Sequence, residues 1–256
     1  MIHLQQVYSL CSFGKGTKLS KYLINHDKIY EAEIKLGIKT DTADREGKVL
    51  EEKEVDKKCL NKLKIEKLLK NIIGKQEQIP PMYSAIKVNG KKLYEYARKG
   101  EKIEIQARKI EIYDLKLNYI KPEENIIGIT AFVSKGTYIR TLCESIAEAL
   151  NTVGYMNKLN RISVGEFKIE DAITINELEN KKDNKDFLEN NLITIEEIFK
   201  EEDKLVIDDE RIEKFKNGMM MNCSLKDGIY RIYNEQKEFI GIGKVKDKKI
   251  KRDIVV

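Results

Sequence analysis

Lys135-Gly136-Thr137-Tyr138-Ile139-Arg140 joins two patterns of different period. Upstream, Ile127, Ile129, Ala131 and Val133 alternate with Gly128, Thr130 and Phe132, the two-residue repeat of a strand. Downstream, Ile139, Leu142, Cys143, Ile146, Ala147 and Leu150 recur at the spacing of one apolar helix face. The six residues therefore turn a strand into a helix and set Arg140 in the first helical turn, off the apolar stripe. A cation there opposes the positive end of the helix macrodipole. The guanidinium calls for an anionic partner, a carboxylate or a phosphate. An ordinary surface ion pair would satisfy the same demand.

Around this junction, 256 residues with 41% hydrophobic content can bury a sizeable core, as one large domain or a large and a small one. Charged residues make up 36%, and the net charge of +5 is compatible with nucleic acid without requiring it. No run of about 18 apolar residues and no signal-peptide pattern is present, so the protein is expected in the cytoplasm, off the membrane. Cys11, Cys59, Cys143 and Cys223 are scattered. They form no CxxC or His/Cys cluster, so neither a disulfide framework nor a zinc site is expected.

Toward the N-terminus, Thr17 to Tyr22 reads as a short helix. Lys28 to Leu36 alternates around Tyr30, Ala32, Ile34 and Leu36 as a half-buried strand. Tyr30 shares the core facing, so it is either a packed tyrosine or a functional aromatic. Thr40 to Gly47 is a polar turn, and Lys57 to Ile73 a charged helix with Leu60, Leu63, Ile65, Leu68, Leu69 and Ile72 as its apolar positions. Pro80 and Pro81 then impose an extended segment, Asn89-Gly90 signals a hairpin, and Lys92 to Arg98 has helical spacing. Lys87, Lys91, Lys92, Arg98 and Lys99 interleave with Tyr83, Tyr94 and Tyr96. Cations for phosphates and aromatics for bases suit single-stranded or looped RNA. A solvated hairpin with a few packed tyrosines reads equally well.

Beyond it, Ile103 to Ile120 alternates as strands of an antiparallel sheet. Met156 to Phe167 reads as a connector leading into a strand, and Leu178 to Asn191 as a charged linker. The last 55 or so residues carry short alternating strands, the pattern of a small β-barrel.

Six stretches carry a resemblance: Gly14–Leu23 (GKGTKLSKYL), Tyr30–Gly37 (YEAEIKLG), Thr40–Gly47 (TDTADREG), Gln78–Arg98 (QIPPMYSAIKVNGKKLYEYAR), Lys135–Arg140 (KGTYIR) and Leu159–Phe167 (LNRISVGEF). In this order and spacing the chain resembles the bacterial TruB-type tRNA pseudouridine-55 synthases. The resemblance implies an α+β fold: a catalytic domain with a central antiparallel sheet over residues 1–180, a charged linker over 181–200, and a PUA-like RNA-binding barrel over 201–256. It implies isomerisation of uridine-55 in the tRNA T-loop to pseudouridine by a monomer with tRNA as partner, no cofactor and no metal. Tyr30 would stack on the flipped base and take part in removing the C5 proton. Arg140 would pair with the catalytic aspartate, and Leu159 and Tyr138 would line the base pocket. Tyr83, Lys87, Lys91, Lys92, Tyr94 and Arg98 would grip the RNA.

One departure stands out. Counting back from Gly14, the family's catalytic aspartate aligns with Ile2, and its Gly-Val-Leu-Pro run with Val7 to Leu10. Asp27, Asp41 and Asp44 are present, but none is assigned the nucleophile's role. The family's earlier segment would lie before Met1. Usual bacterial start codons end in G and isoleucine codons begin AT, so the codons of Met1-Ile2 contain GAT, an aspartate codon, in another frame. With suitable synonymous codons, Ile2 to Leu10 continues that frame as Pro-Leu-Ala-Thr-Gly-Val-Leu-Pro. This implies a frameshift near Ser12-Phe13, which the nucleotide sequence tests. As written, the chain would be a tRNA-binding remnant without turnover. Its Arg140 would turn to water, to another carboxylate or to an anion, and Arg140→Met would cost little stability.

Overall fold

The computed structural model describes residues 5–7 (as backbone), 9–101 and 103–256. In chain order the strands of the first part are β1 (Gln5–Val7), β2 (Lys28–Leu36), β3 (Ile38–Thr40), β4 (Val49–Glu52), β5 (Gly74–Gln78), β6 (Lys87–Val88), β7 (Lys91–Lys92), β8 (Arg108–Lys121), β9 (Ile126–Val133), β10 (Gly154–Val164) and β11 (Phe167–Lys168). They are followed by β12 (Asp203–Val206), β13 (Met221–Asn222), β14 (Gly228–Tyr233), β15 (Phe239–Lys246) and β16 (Lys249–Val255). The helices are α1 (Ser20–Leu23), α2 (Lys62–Ile72), α3 (Leu93–Arg98), α4 (Ile139–Ala149), α5 (Ile175–Asn180), α6 (Lys185–Asn190), α7 (Ile195–Ile198) and α8 (Asp209–Lys216). Two compact units result. Ile24–Ala172 and the first strand form one; Leu10–Leu23 and Ile173–Val256 form the other.

The first unit is a sheet in the order β1-β10-β2-β9-β8-β5, with β11 on β10. All pairs are antiparallel except β1 with β10. Alternation decides what is buried. Ala32, Ile34 and Leu36 of β2 share a core with Ile127, Ile129, Ala131 and Val133 of β9. Ile139, Leu142, Cys143, Ile146, Ala147 and Leu150 at α4 join them, and Ile65 and Leu69 of α2 complete the layer. Each fully buried aliphatic side chain contributes about 1.5–3 kcal/mol. The stripe read from the sequence at α4 is thus the face it buries. On α2 one assigned apolar position fails: Leu63 is 75% exposed, because the helix turns it away from the core.

On the opposite face of β2, Glu33 is buried. It accepts from Tyr119 Oη (2.7 Å), Asn157 Nδ2 (2.8 Å) and Lys158 Nζ (3.0 Å). Burial alone would push its carboxyl up, but these three donors and the lysine charge outweigh burial and hold it below the usual glutamate value.

The structure departs from the sequence reading in three elements. Met156 to Phe167 is no connector, since β10 runs from Gly154 to Val164 between β1 and β2. Irregularities between Met156 and Lys158 and between Arg161 and Ser163 break its alternation and hide it from a period-two reading. The long alternating run starts as a strand only at Arg108, not Ile103. Thr17 to Tyr22 is a 3-10 turn, Gly14–Leu19, running into α1. In addition, the charged stretch around 178–191 is folded into α5 and α6.

The second unit is a five-stranded sheet, β12-β14-β15-β16-β13. On one face Phe215 of α8 packs with Ile232, Val245 and Ile250. On the other, Ile242 and Ile254 pack with Phe199 and with Leu19, Tyr22 and Leu23 from the chain's beginning. Among the described residues no helix is long and apolar enough to cross a membrane.

Candidate active site

Arg140 is the second residue of α4, and three segments converge on it. Its Nη1 donates to the carbonyl of Thr42 (3.2 Å) and to Asp44 Oδ2 (3.2 Å), and its Nη2 donates to the carbonyl of Tyr83 (2.7 Å). The ion pair is mostly shielded, with side-chain exposures of 21% for Arg140 and 16% for Asp44. The Nε–H and one Nη2 hydrogen keep no partner among the described residues, so the guanidinium can still take a second carboxylate or a phosphate. Of the three fates foreseen for Arg140, recruitment of another carboxylate is the one observed. A guanidinium so paired argues against the expectation that Arg140→Met costs little stability.

The turn supplying Asp44 is built to present it. Thr40 Oγ1 donates to the Asp44 carbonyl (2.6 Å), and Asp44 Oδ1 accepts from Thr42 Oγ1 (2.6 Å) and the Glu46 amide (3.2 Å). The Ala43 carbonyl takes the Met156 amide of β10 (3.0 Å). Gly47 closes the turn where a Cβ would sit 2.3 Å from Thr42 Oγ1 and 2.6 Å from Asp41 Oδ1, so a side chain there would break it. One turn further along α4, burial pushes the carboxyl of Glu144 up, against the pull of Lys39.

Tyr138 is the N-cap of α4 and half-buried. Its amide donates to Gln78 Oε1 (2.8 Å), and its carbonyl accepts from Gln78 Nε2 (3.1 Å). Tyr30 and Leu159 meet on the core side of the sheet. Leu159 is registered opposite Ala32 and Arg161 opposite Tyr30, so Leu159 and Tyr30 are diagonal neighbours on one face. Both are partly buried against the core that contains Ile139 and Leu142 of α4.

The segment after β5 is the hairpin read from the sequence. Asn89 (φ 50°) and Gly90 (φ 82°) form the turn between β6 and β7, both at the positive φ that such a two-residue loop requires. Lys87, Lys91 and Arg98 are exposed, while Lys92, Tyr83 and Tyr94 are half-buried. Lys92 Nζ and the Arg98 guanidinium lie 5.4 and 5.3 Å from the Tyr94 ring centroid, and Lys91 Nζ lies 5.9 Å from that of Tyr96. The cations thus lie within cation–π range of the hairpin's own tyrosine rings. Tyr83 reaches Arg140 through its backbone.

The structure therefore brings Arg140, Tyr138 and the Tyr83 carbonyl together, and Tyr30 with Leu159. The hairpin cations form a separate group. Ile2 lies outside the described residues. Asp44 was named in the sequence only to be set aside, and Gln78 only as the start of a motif; their partners are 96 and 60 residues away. Among the described residues no group of three or more His, Cys, Asp or Glu is arranged to hold a metal ion.

Family models match nearly the whole chain. They are the TruB family pseudouridylate synthase N-terminal domain over residues 10–139, the tRNA pseudouridylate synthase B C-terminal domain over 140–200, and the pseudouridine synthase II TruB C-terminal domain over 204–252. A tRNA pseudouridine synthase B of Clostridium kluyveri is 41% identical over 240 residues, covering 91% of this chain and 80% of that protein. One from Bacillus cereus is 41% identical over 217 residues, covering 83% and 70%. A chain in the crystal structure of a Cbf5-Nop10-Gar1 complex shares the fold, with a TM-score of 0.62 at 20% identity over 95% of this chain and 70% of that one. By these matches the chain belongs to the TruB family of pseudouridylate synthases.

Proposed function

We propose that the chain isomerises a uridine of tRNA to pseudouridine, at position 55 of the T-loop. The observation that carries this reading is Tyr30 beside Leu159 on the sheet face that α4 covers, with Arg140 anchored at the start of that helix. Relatives at 41% identity are tRNA pseudouridine synthases.

The reaction moves one bond. N1–C1′ of the nucleoside breaks, C5–C1′ forms, and the C5 proton leaves while N1 gains one, so substrate and product have the same composition and no cofactor or metal is called for. The base must first leave its stack, at a cost of a few kcal/mol. In this reading Tyr30 offsets part of that by stacking on the flipped base and takes part in removing the C5 proton. Leu159 and Tyr138 wall the base. Arg140, with two N–H groups unused among the described residues, stabilises charge as the glycosidic bond opens. Lys87, Lys91, Lys92 and Arg98 take phosphates, and Tyr83 and Tyr94 brace the segment. The five-stranded C-terminal sheet serves as a PUA-like RNA-binding domain. The protein works as a cytoplasmic monomer.

A second reading, tRNA binding without turnover, is favoured by one observation: the position aligned with the family's catalytic aspartate is Ile2, which offers no acid, base or nucleophile. Incubating Met1–Val256 with unmodified tRNA, followed by nucleoside analysis and a filter-binding measurement, separates the two. Pseudouridine in the T-loop supports the first. Retained tRNA with no pseudouridine replaces it by the second, and neither binding nor product overturns both.

A further inference from the structure

We propose that Gln78 is a positioning residue for Arg140, clamping the start of α4 to the end of β5 so that the guanidinium is fixed from two directions. The inference rests on the functional reading above only in giving Arg140 a task.

Nothing in the local sequence holds the start of α4. Its N-cap, Tyr138, makes no side-chain capping bond, and the first turn contains no acidic residue. The third helical position, where a Glu or Gln could reach back to the N-cap amide, is Thr141, whose buried hydroxyl has no partner among the described residues. Arg140 itself opposes the helix dipole. The hold comes from Gln78, 60 residues away, buried at the end of β5. Its Oε1 does for the Tyr138 amide what a capping-box glutamate would do, at 2.8 Å. Its Nε2 donates at 3.1 Å to the Tyr138 carbonyl, which also accepts the Leu142 amide at 3.1 Å. A primary amide presents one acceptor and one donor side by side, which matches the N–H and C=O of a single residue.

The same residue governs the guanidinium's other anchor. Gln78 begins the short path through Pro80 and Pro81 to Tyr83, whose carbonyl accepts from Arg140 Nη2 at 2.7 Å. Two fixed proline φ angles leave that path few conformations. One amide thus pins the backbone two residues before the guanidinium and also the root of the strap that the guanidinium grips.

Gln78→Glu is the discriminating substitution. It keeps shape and acceptor, but once ionised it loses the donor and sets a charge against the Tyr138 carbonyl. Protonation restores a donor. Gln78→Leu removes both bonds. On RNA-free protein labelled with 15N-arginine, with Arg140 assigned through Arg140→Lys, the wild type should show a restrained Arg140 side chain across the pH range. Gln78→Glu at about pH 8 should show a motionally averaged Arg140 signal and roughly tenfold faster exchange of the Tyr138 amide. Both should recover toward about pH 5.5, since burial raises the introduced carboxyl. Gln78→Leu should not recover. With saturating tRNA, pseudouridine formation by Gln78→Glu should fall about tenfold at the higher pH with KM unchanged, and recover in parallel.

A Gln78→Glu protein indistinguishable from wild type at pH 8, or one whose loss ignores pH, overturns the proposal. Undiminished turnover with an averaged Arg140 signal does so too. If Gln78→Leu fails to fold, the glutamate variant still decides. A wild-type protein without turnover would count against the isomerase reading, while the RNA-free spectra would still judge the clamp.

Discussion

Arg140 lies 3.2 Å from Asp44 with both side chains mostly shielded, so its removal strands one charge and two carbonyls. Asp44 keeps its turn bonds but loses its cation, and the carbonyls of Thr42 and Tyr83 lose a donor. Arg140→Met should therefore destabilise the protein by about 1–3 kcal/mol, the usual cost of leaving shielded polar groups unpaired. Asp44→Asn should cost less, and the double variant less than the sum of the two. Denaturant melts of the four proteins check this; an Arg140→Met protein as stable as wild type would show that the network does not hold the fold. The arginine was legible in the sequence because helical periodicity set it off the apolar stripe. Its partners were not. A carboxylate in a polar turn and a glutamine before two prolines look ordinary until the chain brings them to Tyr138 and Arg140.

At the scale of single elements, the hairpin from Lys87 to Arg98 carries its cations stacked near its own tyrosines. The tyrosine faces are therefore partly taken. Replacing Lys91, Lys92 and Arg98 with Ala should weaken tRNA binding and reduce the slope of log K against log salt by about two to three units, if each cation displaces one counterion. Binding measured from low to high salt tests it, and an unchanged slope would mark the hairpin as solvated surface. The sheet's other face offers a pH effect. Glu33 sits below the ordinary glutamate value, burial being outweighed by Tyr119, Lys158 and Asn157. A depressed carboxylate contributes its full stability above the unfolded pKa and loses it as pH falls through the folded one. Glu33→Gln should flatten the loss of stability below about pH 4, read from melting temperatures across the acid range.

Regularity decided which elements could be foreseen. β2, β9 and α4 follow one period from end to end, whereas β10 is interrupted twice and escaped notice. α5 and α7 are too short for any periodicity to show. Their Thr174–Glu177 and Thr194–Glu197 capping boxes were the signal that could have revealed them.

For the molecule as a whole, the second unit draws on both ends of the chain. Leu19 is buried with Phe199, Ile242 and Ile254, Tyr22 packs edge-on against Phe199 at 5.0 Å, and Lys21 and Tyr22 both bond Asp253. Leu19→Ala should accordingly cost that unit about 2–5 kcal/mol. Hydrogen exchange should show faster opening of β15 and β16 with little change in β2 and β9. Equal loosening of both sheets would contradict the division into two units.

That shared core has a consequence on the ribosome. Leu19, Tyr22 and Leu23 emerge early, but Ile242 and Ile254 are made more than 200 residues later. At roughly 5–20 residues per second, the early segment waits about 10–50 s for the wall it belongs against. During that interval Leu19, Tyr22 and Leu23 lack the core they pack into, so chaperone contact during synthesis should concentrate on residues 10–23 and end only when the last strand is released.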